Sequence, residues 1–176
     1  MVAITYRMDV GFAGTTNRQH DSTVVAENID PANPPRAYGI GVVIDPATGG
    51  VRPPLPTDPN MGSTPPGMAY GLYVRPWITQ GGGLHTPVND PLGVSTPPDS
   101  GHCNVMRRGF MTVQLHGAAP AVKGARAFVW TAAAGGGQVP GGVTADGTVP
   151  GSVMMLPGIF MGAADAKGIV EVQLNL

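Results

Sequence analysis

The stretch VMRRGFMTVQLHGAAPAVKGARAFVWTAAAGGG, residues 105–137, decides the fold. It reads as strand, turn, strand and glycine run. Met111, Val113 and Leu115 alternate with Phe110, Thr112 and Gln114, the period of two that a strand imposes on its faces. After HGAAPAVKG the chain returns as ARAFVWT, with Phe128 and Trp130 on one face and Val129 on the other. Apolar residues on both faces predict a strand enclosed between layers or one turned towards a partner.

The same period recurs on either side. In GIVEVQLN, Val170, Val172 and Leu174 alternate with Glu171, Gln173 and Asn175, the pattern of a half-buried strand with one wet face. YGIGVVI places Tyr38, Ile40, Val42 and Ile44 opposite Gly39, Gly41 and Val43. YGLYVR places Tyr70, Leu72 and Val74 opposite Tyr73 and Arg75. GIFMGAADAKGIVEVQL reads as another strand, turn and strand. No window carries apolar residues at helical spacing without Gly or Pro interrupting it. Short strands joined by Gly/Pro turns predict an all-β sandwich or barrel. Its expected core holds Val113, Leu115, Phe128, Val129, Val170, Val172 and Leu174.

Length and composition set the organisation. A chain of 176 residues suits one domain with a real core. Gly (27) and Pro (19) make up roughly a quarter of it, yet 42% of residues are apolar and the net charge is -1, unlike a disordered chain. Two long loops, 45–67 and 80–102, are rich in Pro and Gly, and proline stiffens them towards extended conformers. Residues 1–35, rich in Thr, Asn, Asp and Gln, read as an extended N-terminal arm with a strand at VAITYRM; residues 36–176 read as a single β domain. No tandem repeat of fixed period is present.

Several functions lose support. The nearest cationic cluster is Arg107 with Arg108, too little to neutralise a nucleic-acid backbone. Charged residues are 12%, about half the usual share, which suits a surface kept against partners. The single cysteine, Cys103, forms no intrachain disulfide, consistent with assembly in a reducing cytoplasm. MVAITYRMDV lacks the basic start and apolar stretch of a signal peptide, and no run is as long as a membrane span.

The expected catalytic, cofactor-binding and metal sites are none. The glycine runs 81–83 and 135–137 lack the Lys-Ser/Thr of a phosphate loop and the spacing of a dinucleotide fingerprint. His20, His85, His102 and His116 show no paired ligand spacing, and neighbours such as His102 and Cys103 point to opposite faces of a strand. The aspartates are scattered beside Pro and Gly, where they favour turns. A glycosidase pair drawn from distant loops stays open on sequence alone, as does a Cys103–His dyad.

The C-terminal half resembles the capsid cement, or decoration, proteins of tailed bacteriophages. The resemblance lies in APAVKGARAFVW, a Gly-rich break, and VPGSVMMLPGIFMGAADAKGIVEVQLN. A Val122–Lys123–Gly124 turn leads into a strand, and a late Ala164–Asp165–Ala166–Lys167–Gly168 turn leads to the final strand. YGIGVVIDPATGG is similar to an earlier strand of the family; the Pro-rich segments have no counterpart. The resemblance implies a small β-barrel or jelly-roll-like module and no catalytic residues. It implies a virion protein, made in the host cytoplasm, that binds the outer capsid surface and bridges neighbouring major capsid protein subunits against internal DNA pressure. The expected partners are the major capsid protein and further copies of the chain as a dimer or trimer, with no nucleic acid and no membrane. Candidate contact residues are Ile4, Tyr6, Met8, Phe12, Val24 and Val25 of the arm, with Trp77 and Trp130. A head fibre or tail part, or a carbohydrate-binding or enzymatic β-sandwich, are the alternatives.

Overall fold

The computed structural model describes residues 12–58, 67–76, 97–132, 134–149 and 152–175. The expected strand at VAITYRM lies outside them. Nine strands follow in chain order: β1 (Thr23–Asn28), β2 (Gly41–Ile44), β3 (Val51–Arg52), β4 (Gly71–Tyr73), β5 (His102–Gln114), β6 (Arg126–Trp130), β7 (Val143–Thr144), β8 (Val153–Phe160) and β9 (Ile169–Asn175). One 3-10 turn, Gln19–Asp21, is the only helical element among the described residues. The fold is all-β, as the period-two segments require.

The strands form one sheet in the order β3-β2-β4-β5-β9-β8-β6-β7, with β1 added to β5. Every strand pair is antiparallel. The sheet curls into a half-barrel because its distant parts touch. The Gly41 N–H donates to the Gly141 carbonyl at 2.7 Å, and the His116 N–H donates to Val143 at 2.8 Å. Ala69 and Met155 are joined the same way, at 2.8 Å. Gly41 is required at its contact: a Cβ there would overlap Val129 of β6.

The two resembling turns are built as their residues dictate. The Ala125 N–H closes on the Val122 carbonyl at 3.0 Å just before β6. The Asp165 carboxylate accepts from the Lys167 N–H at 2.9 Å and the Ile169 N–H at 2.8 Å, which launches β9. Aspartate suits this place because its short acceptor satisfies amides two to four residues on.

Two cores lie on opposite faces of the sheet. The main one gathers Leu72, Met106, Met111, Val113, Val129, Leu156, Phe160, Val170, Val172 and Leu174. The second holds Ile29, Tyr38, Ile40, Val42, Val51, Tyr73, Cys103 and Val105. Adjacent residues divide between them, Val42 from Val43 and Leu72 from Tyr73, so β2 and β4 are buried on both faces. Residues 29–40 roof the second core through Ile29, Tyr38 and Ile40.

Of the expected core, Val113, Val129, Val170 and Val172 are fully enclosed and Leu174 is 1% exposed. Leu115 and Phe128 are corrections: both are only partly buried. Leu115 follows the last residue of β5 and packs at the margin of the main core. On β6 the inward residues are Ala127 and Val129, which leaves Phe128 on the other face beneath the loop at Gly147.

The described part of residues 1–35 lies along its own domain. Gly14 donates to Thr112 at 2.7 Å, Asn17 donates to Phe110 at 3.0 Å, and β1 then pairs with His102 to Arg108. The chain passes close over Gly109 on the way. β3 interrupts the 45–67 stretch.

Candidate interaction surface

The surface begins with β1. Its sequence TVVAEN has mixed polarity, and its exposure alternates: Val24, Ala26 and Asn28 are exposed while Val25 and Glu27 are half-buried. Val24 is 41% exposed although it sits opposite the fully buried Met106. On the inner face the Glu27 carboxylate accepts from the Tyr70 hydroxyl at 2.5 Å. That bond, then burial, raises the Tyr70 phenol above its ordinary pKa. The Arg107 guanidinium lies 4.0 Å over the Tyr70 ring. Glu27, Tyr70 and Arg107 thus form a charge-balanced tie between β1, the residue that leads into β4, and β5, of a kind that also gains cation–π attraction.

Beside this tie runs an open groove of about 480 Å³ lined by Ile44, Pro46, Met68, Tyr70, Arg107 and Met154, with Asp58 at its wall. Met68 is 54% exposed, and its flexible thioether suits a contact that must adapt. The wall is fixed by Arg52, which is 5% exposed. Arg52 Nε donates to Asp45 at 2.7 Å, and its two terminal nitrogens donate to Asp58 at 3.0 and 2.5 Å. The Asp58 and Asp45 partners hold the guanidinium charged, raising its pKa further; the Arg52 bond holds the Asp45 carboxyl below the usual carboxylate range. Asp58 also accepts from the Leu55 N–H at 2.7 Å. A planar fork matched to a carboxylate fixes orientation as well as charge, so this cluster anchors the start of the Pro-rich loop.

The candidate contact residues are scattered. Phe12 is 44% exposed, and the Arg75 guanidinium lies 5.5 Å from its ring. The Phe12 carbonyl accepts from the Thr112 hydroxyl. Val24 and Val25 are on β1. Trp130 ends β6, half-buried, with its backbone tied to Gly141 and Gly142. Ile4, Tyr6, Met8 and Trp77 lie outside the described residues. Phe12 precedes the 3-10 turn, Val24 is on β1 and Trp130 is on β6, so the three share no strand. Sequence reasoning missed Met68, Val122 (59% exposed) and Ile159 (37% exposed). Val122 carried a signal: a β-branched apolar side chain in a tight turn, where nothing can enclose it.

The groups with chemical potential are quiet. Burial pushes the Cys103 thiol up to about 11, with Glu27 adding to it, so the thiolate is scarce at neutral pH. Burial lowers the His116 imidazole below its ordinary value against a smaller opposing bond from Gly137. Among the described residues, no three His, Cys, Asp or Glu side chains stand together as a metal site.

The fold is similar to a chain in a structure of the capsid of Myoviridae phage XM1, with a TM-score of 0.61 and 15% identity over 98% of this chain and 95% of that one. At that identity the likeness shows a shared fold. No curated protein matches the chain. Residues 2–175 match the family described as structural cement protein (E217 gp24/Pam3 gp6), which takes in both Pro-rich stretches as well as the two turns. The chain belongs to the phage structural cement protein family.

Proposed function

We propose that this chain binds the outer surface of a phage head, bridges neighbouring major capsid protein subunits, and so holds the shell together against the packed genome. The observation that carries the reading is membership of the cement family over residues 2–175. The surface supports it: exposed apolar side chains at Phe12, Val24, Met68, Val122 and Ile159 are distributed over the sheet and its turns. A distributed surface lets one copy touch more than one neighbour. Each contact is weak alone, but tethered contacts act at high effective concentration. Binding the assembled lattice in preference to free subunits stabilises the lattice by mass action. Residues 1–11, with Ile4, Tyr6 and Met8, together with Phe12, Val24, Val25, Trp77 and Trp130, are the contacts to test first. On this reading the protein is made in the host cytoplasm and acts on the virion, without a cofactor and without catalysis.

The experiment adds purified protein to heads assembled without it. Bound copies are counted, and the temperature of DNA release is followed. Saturable binding and a higher release temperature are expected; removal of residues 1–11 should lower occupancy. Heads that take up no protein, or that bind it with an unchanged release temperature, would refute the reading.

A further inference from the structure

We propose that the outward face of β8 and β9, where β8 bulges, receives an extended acidic segment of a partner protein that also carries an aliphatic side chain. This rests on the cement reading only for naming the partner as the shell. It goes beyond that reading by naming the face and the chemistry it selects.

The bulge makes a groove. From Phe128 to Arg126 β6 moves two residues, while opposite them β8 moves four, from Met155 to Ile159. The surplus falls around Pro157 and Gly158. Pro157 has no N–H to give to a ladder. A Cβ on Gly158 would stand 2.6 Å from the Gln173 carbonyl, so only glycine lets β8 lie this close to β9. A bulge bends its strand. Here the bend opens a groove of about 330 Å³, with Met155, Ile159 and Arg126 on one side and Gln173 and Asn175 on the other. Ile159 is 37% exposed there. The side-chain amides of Gln173 and Asn175 bond to nothing among the described residues.

Charge selects the occupant. Glu171, the one acid of β9, is already taken: Arg18 lies 3.7 Å from it, and the Asn17 amide donates to it at 2.9 Å. Arg108, opposite Asn175, and Arg126, opposite Ile159, are both exposed. Among the described residues neither has an ion pair. The chain as a whole carries -1, so this positive excess is local. A second copy laid face to face would bring arginine to arginine, and a nucleic acid needs more cations than these. A carboxylate fits the guanidinium fork, and an aliphatic side chain fits against Ile159 and Met155. Gln173 and Asn175 are then placed to bond the backbone of the segment. From Arg126 on β6 to Arg108 on β5 the segment crosses β8 and β9, a width of about 14 Å. An extended chain covers that in about four residues, which sets the spacing of its two carboxylates.

Two measurements test this. In the first, variants are titrated onto heads assembled without the protein. Arg108→Glu combined with Arg126→Glu should weaken binding about tenfold or more and flatten its dependence on salt. Ile159→Thr should weaken binding and leave the salt dependence as it was. Arg36→Glu, at an equally exposed cation on the segment that roofs the second core, should bind as wild type does. All these side chains are exposed, so the urea midpoints should not move. In the second, an acetylated Glu-Leu-Glu-Leu-Glu peptide is added to the free protein and its backbone amide shifts are followed. The amides of Ile159, Gln173 and Asn175 should move, and the double arginine variant should abolish the response. Variants that decorate heads as fully as wild type overturn the proposal and leave the cement reading standing. A peptide that leaves those amides unmoved overturns it as well. So does removal of residues 1–11 if it moves them, which gives the face to the chain's own N-terminal residues. A mass that doubles with concentration, and returns to one chain in the double variant, gives the face to a second copy and overturns it too. Heads that bind no protein while the peptide moves those amides refute the cement reading alone; the face and its acidic partner stand.

Discussion

Substituting Gly109 with alanine should release the first part of the chain from β5. Gly109 has φ +124°, a conformation that costs a residue with a side chain about 1–3 kcal/mol. A Cβ there would also stand 2.8 Å from the Cα and Cβ of Ser22 and 3.2 Å from the Asp21 carbonyl. Those atoms are mostly backbone, so relief requires moving the chain rather than turning a rotamer. Overpacking of this kind costs about 1–3 kcal/mol. The neighbouring segment has little to resist with, since β1 is largely exposed. It moves before the core does, and part of the steric cost is avoided. A total loss of about 2–4 kcal/mol follows from the two terms. Urea unfolding measures the total, and amide hydrogen exchange locates it. The Val25, Glu27 and Ile29 amides should lose protection while those of Val170 and Val172 keep the protection of the whole domain. Stability within half a kcal/mol of wild type, with β1 amides unchanged, would show that the close passage over Gly109 is not a feature of the molecule.

Two further outcomes follow from the buried charges. Arg52→Met should destabilise the domain by about 3–5 kcal/mol, because Asp58 is left buried without its partner; adding Asp58→Asn should recover part of the loss, and no recovery in chemical unfolding would refute the pairing argument. His116 is held neutral by burial, so its folded pKa lies below the unfolded value of 6.5. Between those two values the unfolded chain binds more protons, so stability is full above about pH 6.5 and falls as pH drops towards the folded pKa. His116→Gln should flatten that slope in unfolding curves measured between pH 7.5 and 5 (roughly the window in which histidine titrates); an unchanged slope assigns it to other groups.

The parts of the fold that the sequence reveals are those whose neighbours supply a regular environment. Val170, Val172 and Leu174 alternate with Glu171, Gln173 and Asn175 because one face of β9 meets the main core and the other is half-wet. Tyr38, Ile40 and Val42 share a face in the sequence and share the second core in space. β5 is legible only in its second half. Cys103 and Val105 face the second core, Met106 the main one, and the odd-numbered Met111 and Val113 then join Met106. The phase of alternation breaks at the irregularity near Arg108, so no single period spans the strand. β1 is hidden for another reason. TVVAEN opens with strand formers but closes on Ala, Glu and Asn, which are depleted in strands, and its two valines fall on opposite faces; its pairing comes from a strand about eighty residues away, a long-range term that no local pattern encodes. Phe128 misleads through size: the larger ring looks like core, but the crowded interior beside Gly41 admits Ala127 and Val129 instead.

The same arrangement couples the N-terminal residues to the body of the protein. Residues 14–17 and β1 are hydrogen-bonded to β5, and β5 also carries β4 and β9. Ile29, at the end of β1, is already part of the second core. A force applied to the chain ahead of Phe12 therefore reaches β5 through a ladder of backbone bonds, beginning at Gly14, which is also bonded to Arg75. Those bonds must open in succession if the pull peels them, and together if it shears them along the strand. Residues 14 to 28 run antiparallel to residues 112 to 102, so a pull along β5 loads the ladder in shear. For a protein proposed to hold neighbouring subunits together, that geometry makes the bonds between contact and core share the load instead of opening one at a time. It also explains why a segment so poor in apolar residues is laid along the longest strand of the sheet rather than tucked into either core.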